Sequence, residues 1–150
     1  MGSGAIHNKK SLKERVCVVI VARVVLLLYI PTLLFLTLYS FKGVDLSLPK
    51  TLLGIALDKV VHFLMFLPFP ILSWFALSNR VKKRTGWRAI LFLLLLGVLL
   101  ATLTEHLQLL SHYRHFDFSD LVANYLAIVV GTIVVAIFYI LKRDDRAGRL

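Results

Sequence analysis

The chain has 150 residues, 59% of them hydrophobic, and a mean hydropathy of +0.82. Soluble domains sit nearer half apolar, so a water-soluble globule is the wrong starting point. The net charge of +10 would suit a nucleic-acid partner only if the basic residues shared one face, and their placement argues against one.

A hydrocarbon core of about 30 Å needs about 20 apolar residues per crossing helix. Four stretches qualify, at about 16–41, 59–78, 88–110 and 119–141. They predict an all-α fold: a four-helix transmembrane bundle forming one membrane domain over residues 1–150. Pro31 should bend the first span. It lacks a small-residue cleavage site before Lys42, so a cleaved signal peptide is not expected. The loop after it, "KGVDLSLPKTLLGIAL", is apolar at Leu52, Leu53, Ile55 and Leu57. It reads as a short helix lying at the outer interface. The second span contains "LPFP", so Pro68 and Pro70 should interrupt its hydrogen-bond ladder. Trp87 opens the third span, and Tyr139 with Lys142 closes the fourth, as interfacial anchors. The lone Cys17 cannot form an internal disulfide.

Basic residues fall in three clusters: Lys9, Lys10, Lys13 and Arg15; Arg80, Lys82, Lys83, Arg84 and Arg88; and Lys142, Arg143, Arg146 and Arg149. The first and third loops hold only Lys42, Lys50, Lys59 and Arg114. Positive charge collects on the cytoplasmic side of short loops. Both termini and the 80–88 loop are therefore expected inside, and the other two loops outside. Arg23, two turns into the first span, should snorkel to the inner surface.

Measured from the inner anchors, Arg88 to Glu105 is 17 residues, Arg80 back to His62 is 18, and Lys142 back to Asn124 is 18. At 1.5 Å per residue these are about 26 to 27 Å of helix. Three polar side chains from three helices thus reach nearly one level, just inside the outer edge of the core. One turn further out lie Asp58, Gln108 and Asp120, each on the same helical face as its partner. Arg114 and Asp117 sit in the connection just above. An acidic group at such depth costs roughly 2 to 3 kcal/mol, so a shared cluster is the favourable arrangement. Glu105 is expected to pair with His62 or Arg114, and Asp120 with Arg114 or Lys59.

"DKVVHF" (Asp58, Lys59, His62, Phe63), "EHLQ" (Glu105, Gln108), Arg114, Asp120, Asn124 and Gly131 together resemble the VanZ-like membrane proteins. The ordered pattern Glu-x2-Gln-x5-Arg-x5-Asp-x3-Asn carries the resemblance, over about residues 58 to 131. Two departures are Ala127, where a glycine commonly follows the Asn, and the "LPFP" interior of span two. The resemblance implies a multi-pass protein of the bacterial cytoplasmic membrane. The family's name comes from a member linked to resistance to the glycopeptide teicoplanin, and it brings no settled reaction with it.

Capping competes with function at Asp58 and Asp120, which each begin a helix, and Asp117 has capping-box spacing to Asp120. Glu105 has no such role, because a helix C-terminus disfavours an anion. His62 fits a buried neutral hydrogen-bonding residue as well as a functional one. Arg114 fits the neutraliser of nearby acids. His106, His112 and His115 lie near Glu105, but no HExxH or thiolate pair is present. His106 also points about 100° away from Glu105. No metal or cofactor is expected. Ala127 and Gly131 have small-xxx-small spacing and should pack helices.

Two functions from different classes fit. In the first, the outer cluster of Asp58, Lys59, Gln108, Arg114, Asp120 and Asn124 binds a membrane lipid or lipid-linked envelope precursor, with cations on phosphate. In the second, Glu105 and His62 act as an acid–base pair of a hydrolase or transferase on such a lipid. A proton-coupled transporter is disfavoured, because no comparable polar residues continue inward.

Overall fold

The computed structural model describes residues 3–38, 51–52, 54–109 and 117–147. Its elements in chain order are α1 (Ser3–Leu38), β1 (Thr51–Leu52), β2 (Ile55–Ala56), α2 (Leu57–Phe66), α3 (Pro68–Ala76), α4 (Asn79–Thr85), α5 (Trp87–Gln108) and α6 (Phe118–Ala147). Four segments are long and apolar enough to cross a membrane: Val16–Leu38, Leu57–Ala76, Trp87–Gln108 and Phe118–Arg143. The second of these is α2 and α3 joined end to end. The all-α four-span bundle expected from the sequence is the observed fold.

The described part of the first loop differs from expectation. Thr51–Leu52 and Ile55–Ala56 pair as a minimal antiparallel hairpin, not an interfacial helix. Gly54 supplies the positive φ of +81° that this tight turn requires. Residues 39–50, the rest of that loop, lie outside the described residues.

Pro68 and Pro70 divide span two as their missing N–H groups demand. α2 ends at Phe66, Leu67 stays in the right-handed region and donates to Phe63, and Pro68 opens α3. α1, by contrast, continues as helix through Pro31. The basic 80–88 loop contains a short helix, α4. Its N-cap Ser78 accepts from the Val81 amide at 3.4 Å, and Gly86 ends it with φ +48°.

α6 is the hub, packing against α2, α3 and α5, while α1 rests chiefly on α3. The inward face of α6 recurs every three to four residues: Asp120, Ala123, Asn124, Ala127, Ile128, Gly131 and Val135. α5 answers with Ile90, Leu93, Gly97, Ala101, Thr104, Glu105 and Gln108. Small residues set the spacing. A Cβ on Gly131 would lie 2.7 Å from the Leu67 carbonyl oxygen and 3.2 Å from Pro70. α6 therefore approaches the backbone of span two at its proline break, the packing role expected for Ala127 and Gly131.

Two apolar clusters fill the interior. Leu33, Phe66, Ala101, Leu121, Ala127 and Ile128 form one, and Trp74, Ala89, Ile90, Leu93 and Val135 the other. The second lies toward the basic end. There Tyr139 stands edge-on to both Trp74 and Trp87, at centroid separations of 5.8 and 5.6 Å. Arg23 reaches the same end, its Nε donating to the Ala76 carbonyl at 3.1 Å. That carbonyl belongs to the last turn of α3, which has no further helical donor and favours a cation.

Candidate functional site

The opposite end of the bundle is polar. The start of α2, the end of α5 and the start of α6 meet there. His62, Glu105, Gln108, Asp120 and Asn124 are all buried within it. The level reached by counting residues from the basic anchors is thus a place where side chains from three helices touch.

At its centre is a relay. Asn124 Nδ2 donates to Glu105 Oε1 at 3.1 Å, and Asn124 Oδ1 faces His62 Nδ1 at 3.3 Å. With the amide nitrogen committed to a carboxylate, its oxygen must accept, so His62 donates from Nδ1. His62 Nδ1 lies 3.8 Å from Glu105 Oε1, beyond a hydrogen bond. The expected Glu105–His62 pair therefore acts through Asn124. Glu105 is fully buried, an expensive position for an anion without such donors.

Lys59 anchors the outer layer. Its ammonium donates to Asp117 Oδ2 at 2.7 Å and to Asp120 Oδ1, and lies 3.6 Å from Asp58 Oδ2. Asp120 thus takes Lys59, one of its two expected partners. Asp117 is half exposed, and the Lys59 ammonium, aided by the Ser119 amide, lowers its carboxyl to about 2. The far nitrogen of His62, Nε2, faces two carboxylate oxygens, Asp120 Oδ2 at 3.5 Å and Asp58 Oδ1 at 4.0 Å.

Capping follows the expected spacing at Asp117 and departs from expectation at Asp58 and Asp120. Asp117 caps α6, its Oδ1 accepting from the Ser119 amide at 2.8 Å. Asp120 turns inward to Lys59 and His62. Ala56 is the N-cap of α2 and makes no side-chain bond, so Asp58 does not cap either. Both aspartates are left to the cluster.

Gln108 is buried, and neither its Oε1 nor its Nε2 has a hydrogen-bond partner among the described residues. His106 points outward, its Nδ1 donating to the Thr102 carbonyl at 2.7 Å. Arg114, His112 and His115 lie outside the described residues. Sequence reasoning passed over Tyr29, whose hydroxyl donates to the Met65 carbonyl from α1 to α2. It also passed over Thr102, hydrogen-bonded to the Tyr125 hydroxyl at 2.7 Å. Their signal was a hydroxyl recurring on the inward face of an apolar helix.

Four helices long and apolar enough to cross a membrane, with a buried polar cluster at one end, define a polytopic membrane protein. The model of the VanZ/LLP1 family matches residues 20–139, and the chain belongs to that family. No curated protein and no solved structure matches it.

Proposed function

We propose that the polar end of the bundle binds the headgroup of an envelope lipid or a lipid-linked envelope precursor, entering from the outer leaflet. The observation that carries this reading is Gln108. Among the described residues its buried amide has no partner, and each such group left unsatisfied costs roughly 1 to 3 kcal/mol, a cost a ligand's hydroxyl or amide groups would remove. Asn124 and Gln108 suit such neutral groups, while Lys59 and Arg114 suit a phosphate. Asp117, the exposed partner of Lys59, is the group a phosphate would displace at least cost. In this reading the protein is a multi-pass component of the bacterial cytoplasmic membrane with both termini inside. Holding a cell-wall precursor would give it a route to reduced glycopeptide (teicoplanin) sensitivity.

The test is to purify the protein in mild detergent and identify retained lipid by mass spectrometry. Retention in the native chain and loss in Gln108→Leu and Arg114→Ala supports binding. Equal lipid profiles in all three would end it.

The His62–Asn124–Glu105 relay favours a second reading, an acid–base enzyme on the same lipid. Glu105 is sealed from solvent, so it would set the charge and tautomer of His62 while His62 alone touches substrate. Product formation from a supplied lipid precursor that vanishes in His62→Gln would establish it. Turnover unchanged in Glu105→Gln would remove Glu105 from that mechanism.

A further inference from the structure

We propose that Asp58, His62 and Asp120 form a binding site for a divalent first-row cation, Zn2+ or Mn2+. One ligand atom from each lies within 4.8 Å of the others. The separations of 3.5 Å (His62 Nε2 to Asp120 Oδ2) and 4.0 Å (His62 Nε2 to Asp58 Oδ1) are close to the edge of a small coordination sphere. Two ligands about 2.1 Å from a tetrahedral ion stand about 3.4 Å apart, so a small contraction completes the geometry.

The surroundings point the same way. The Asn124–Glu105 relay places a hydrogen-bond acceptor on His62 Nδ1, so Nε2 is the nitrogen turned toward two carboxylate oxygens and the one available to a cation. A cation between these groups would be held by one imidazole nitrogen and two carboxylates. A metal-ligating histidine usually donates its other N–H to a fixed acceptor, and the Asn124 oxygen, whose amide is held by Glu105, serves as one for His62. Lys59 provides the matching support for the acids. It takes Asp120 Oδ1 and Asp58 Oδ2, leaving Oδ2 and Oδ1 respectively for the site. Charge agrees as well: Asp58, Asp117 and Asp120 against Lys59 leave a surplus of two negative charges among these residues. One imidazole and two carboxylates, with no thiolate, suit Zn2+ or Mn2+ better than a soft ion.

Spacing alone did not expose this set, because Asp120 is 58 residues from His62 in the chain. Of the other histidines, His106 points away from this set, and His112 and His115 lie outside the described residues. Asp58 is exposed, so the remaining coordination positions open outward, where water or a phosphate oxygen completes the sphere. The inference deepens the lipid reading by supplying positive charge at an acidic site, and it rests on that reading only for its purpose. The ion itself needs no lipid.

The experiment uses the full chain, purified in detergent, stripped with a chelator and titrated with ZnCl2 or MnCl2 by calorimetry. Bound metal is counted by mass spectrometry, and Mn2+ is followed by electron paramagnetic resonance. About one ion per chain is expected, with affinity falling at least about tenfold in Asp58→Asn and in Asp120→Asn. His106→Ala, outside the set, should bind as the native chain does. Asp58 is exposed, so its variant tests the site even where Asp120→Asn fails to fold. No saturable binding, or binding unchanged in Asp58→Asn, overturns the proposal. An equal loss in His106→Ala overturns it too. Lipid retained by protein that binds no ion overturns the metal site and spares the lipid reading. An ion bound with no lipid retained supports the site and removes that reading.

Discussion

Between His62 and Glu105 stands the Asn124 amide, accepting from one and donating to the other. An aspartate there would set a second anion against Glu105, and an aliphatic residue would silence both contacts. Asn124→Leu should destabilise the protein by about 2 to 3 kcal/mol, the scale of a hydrogen bond to a charged group. The measurement is thermal unfolding in detergent, with helix content near 25 °C unchanged. At the basic end, Lys82 sits over the Trp74 and Phe75 rings, 5.2 and 5.6 Å from their centroids. Burial, followed by repulsion from Lys142, lowers its pKa from 10.5 to about 8. The folded state therefore binds fewer protons than the unfolded state between pH 8 and 10.5. Stability should rise with pH through that window, and Lys82→Gln should flatten the rise. Melting temperatures of both proteins from pH 7 to 10.5 give the comparison. Because the side chain is half exposed, the effect is small.

At the scale of elements, the proline break and the glycine opposite it are one feature. Pro68 and Pro70 end α2 and begin α3, and Gly131 lets α6 approach that junction. A leucine at 131 would drive its first carbon to 2.7 Å from the Leu67 oxygen. Gly131→Leu should cost about 1 to 3 kcal/mol through overpacking. It should also weaken the polar end, since α2 and α6 carry His62 and Asn124. Loss of bound ligand in a variant that remains helical and monodisperse would show that coupling. α4 shows how an element escapes notice. Its basic residues were read for topology, while Ser78 and Gly86 already marked its two ends.

Over the whole molecule, burial is uneven. The most apolar window of α6 has 44% of its residues buried and that of α1 only 11%, which makes α1 the least buried of the four long apolar segments. Charge is uneven too, with basic clusters at one end and the relay at the other. If the basic end is cytoplasmic, Ser119→Cys in a Cys17→Ser background should react in whole cells with a membrane-impermeant maleimide. Val81→Cys in the same background should react only after lysis. The opposite pattern would turn the site toward the cytosol and exclude an outer-leaflet ligand.

The sequence by itself determined the four long apolar helices, the basic clusters between them and the common level of His62, Glu105 and Asn124. Hydrophobic run length, charge clusters and a fixed rise per residue are local quantities, and a helix preserves them. Only the tertiary structure decided which atoms meet. It put Asn124 between Glu105 and His62, turned Asp120 inward to Lys59 and His62, and placed Lys59 on three carboxylates. It also paired Thr51–Leu52 with Ile55–Ala56 as strands, where apolar content suggested a helix. These outcomes depend on helix rotation and on contacts between distant segments. Side chains at one depth share a level from spacing alone, but facing one another requires the packing that Gly131 and the proline break allow.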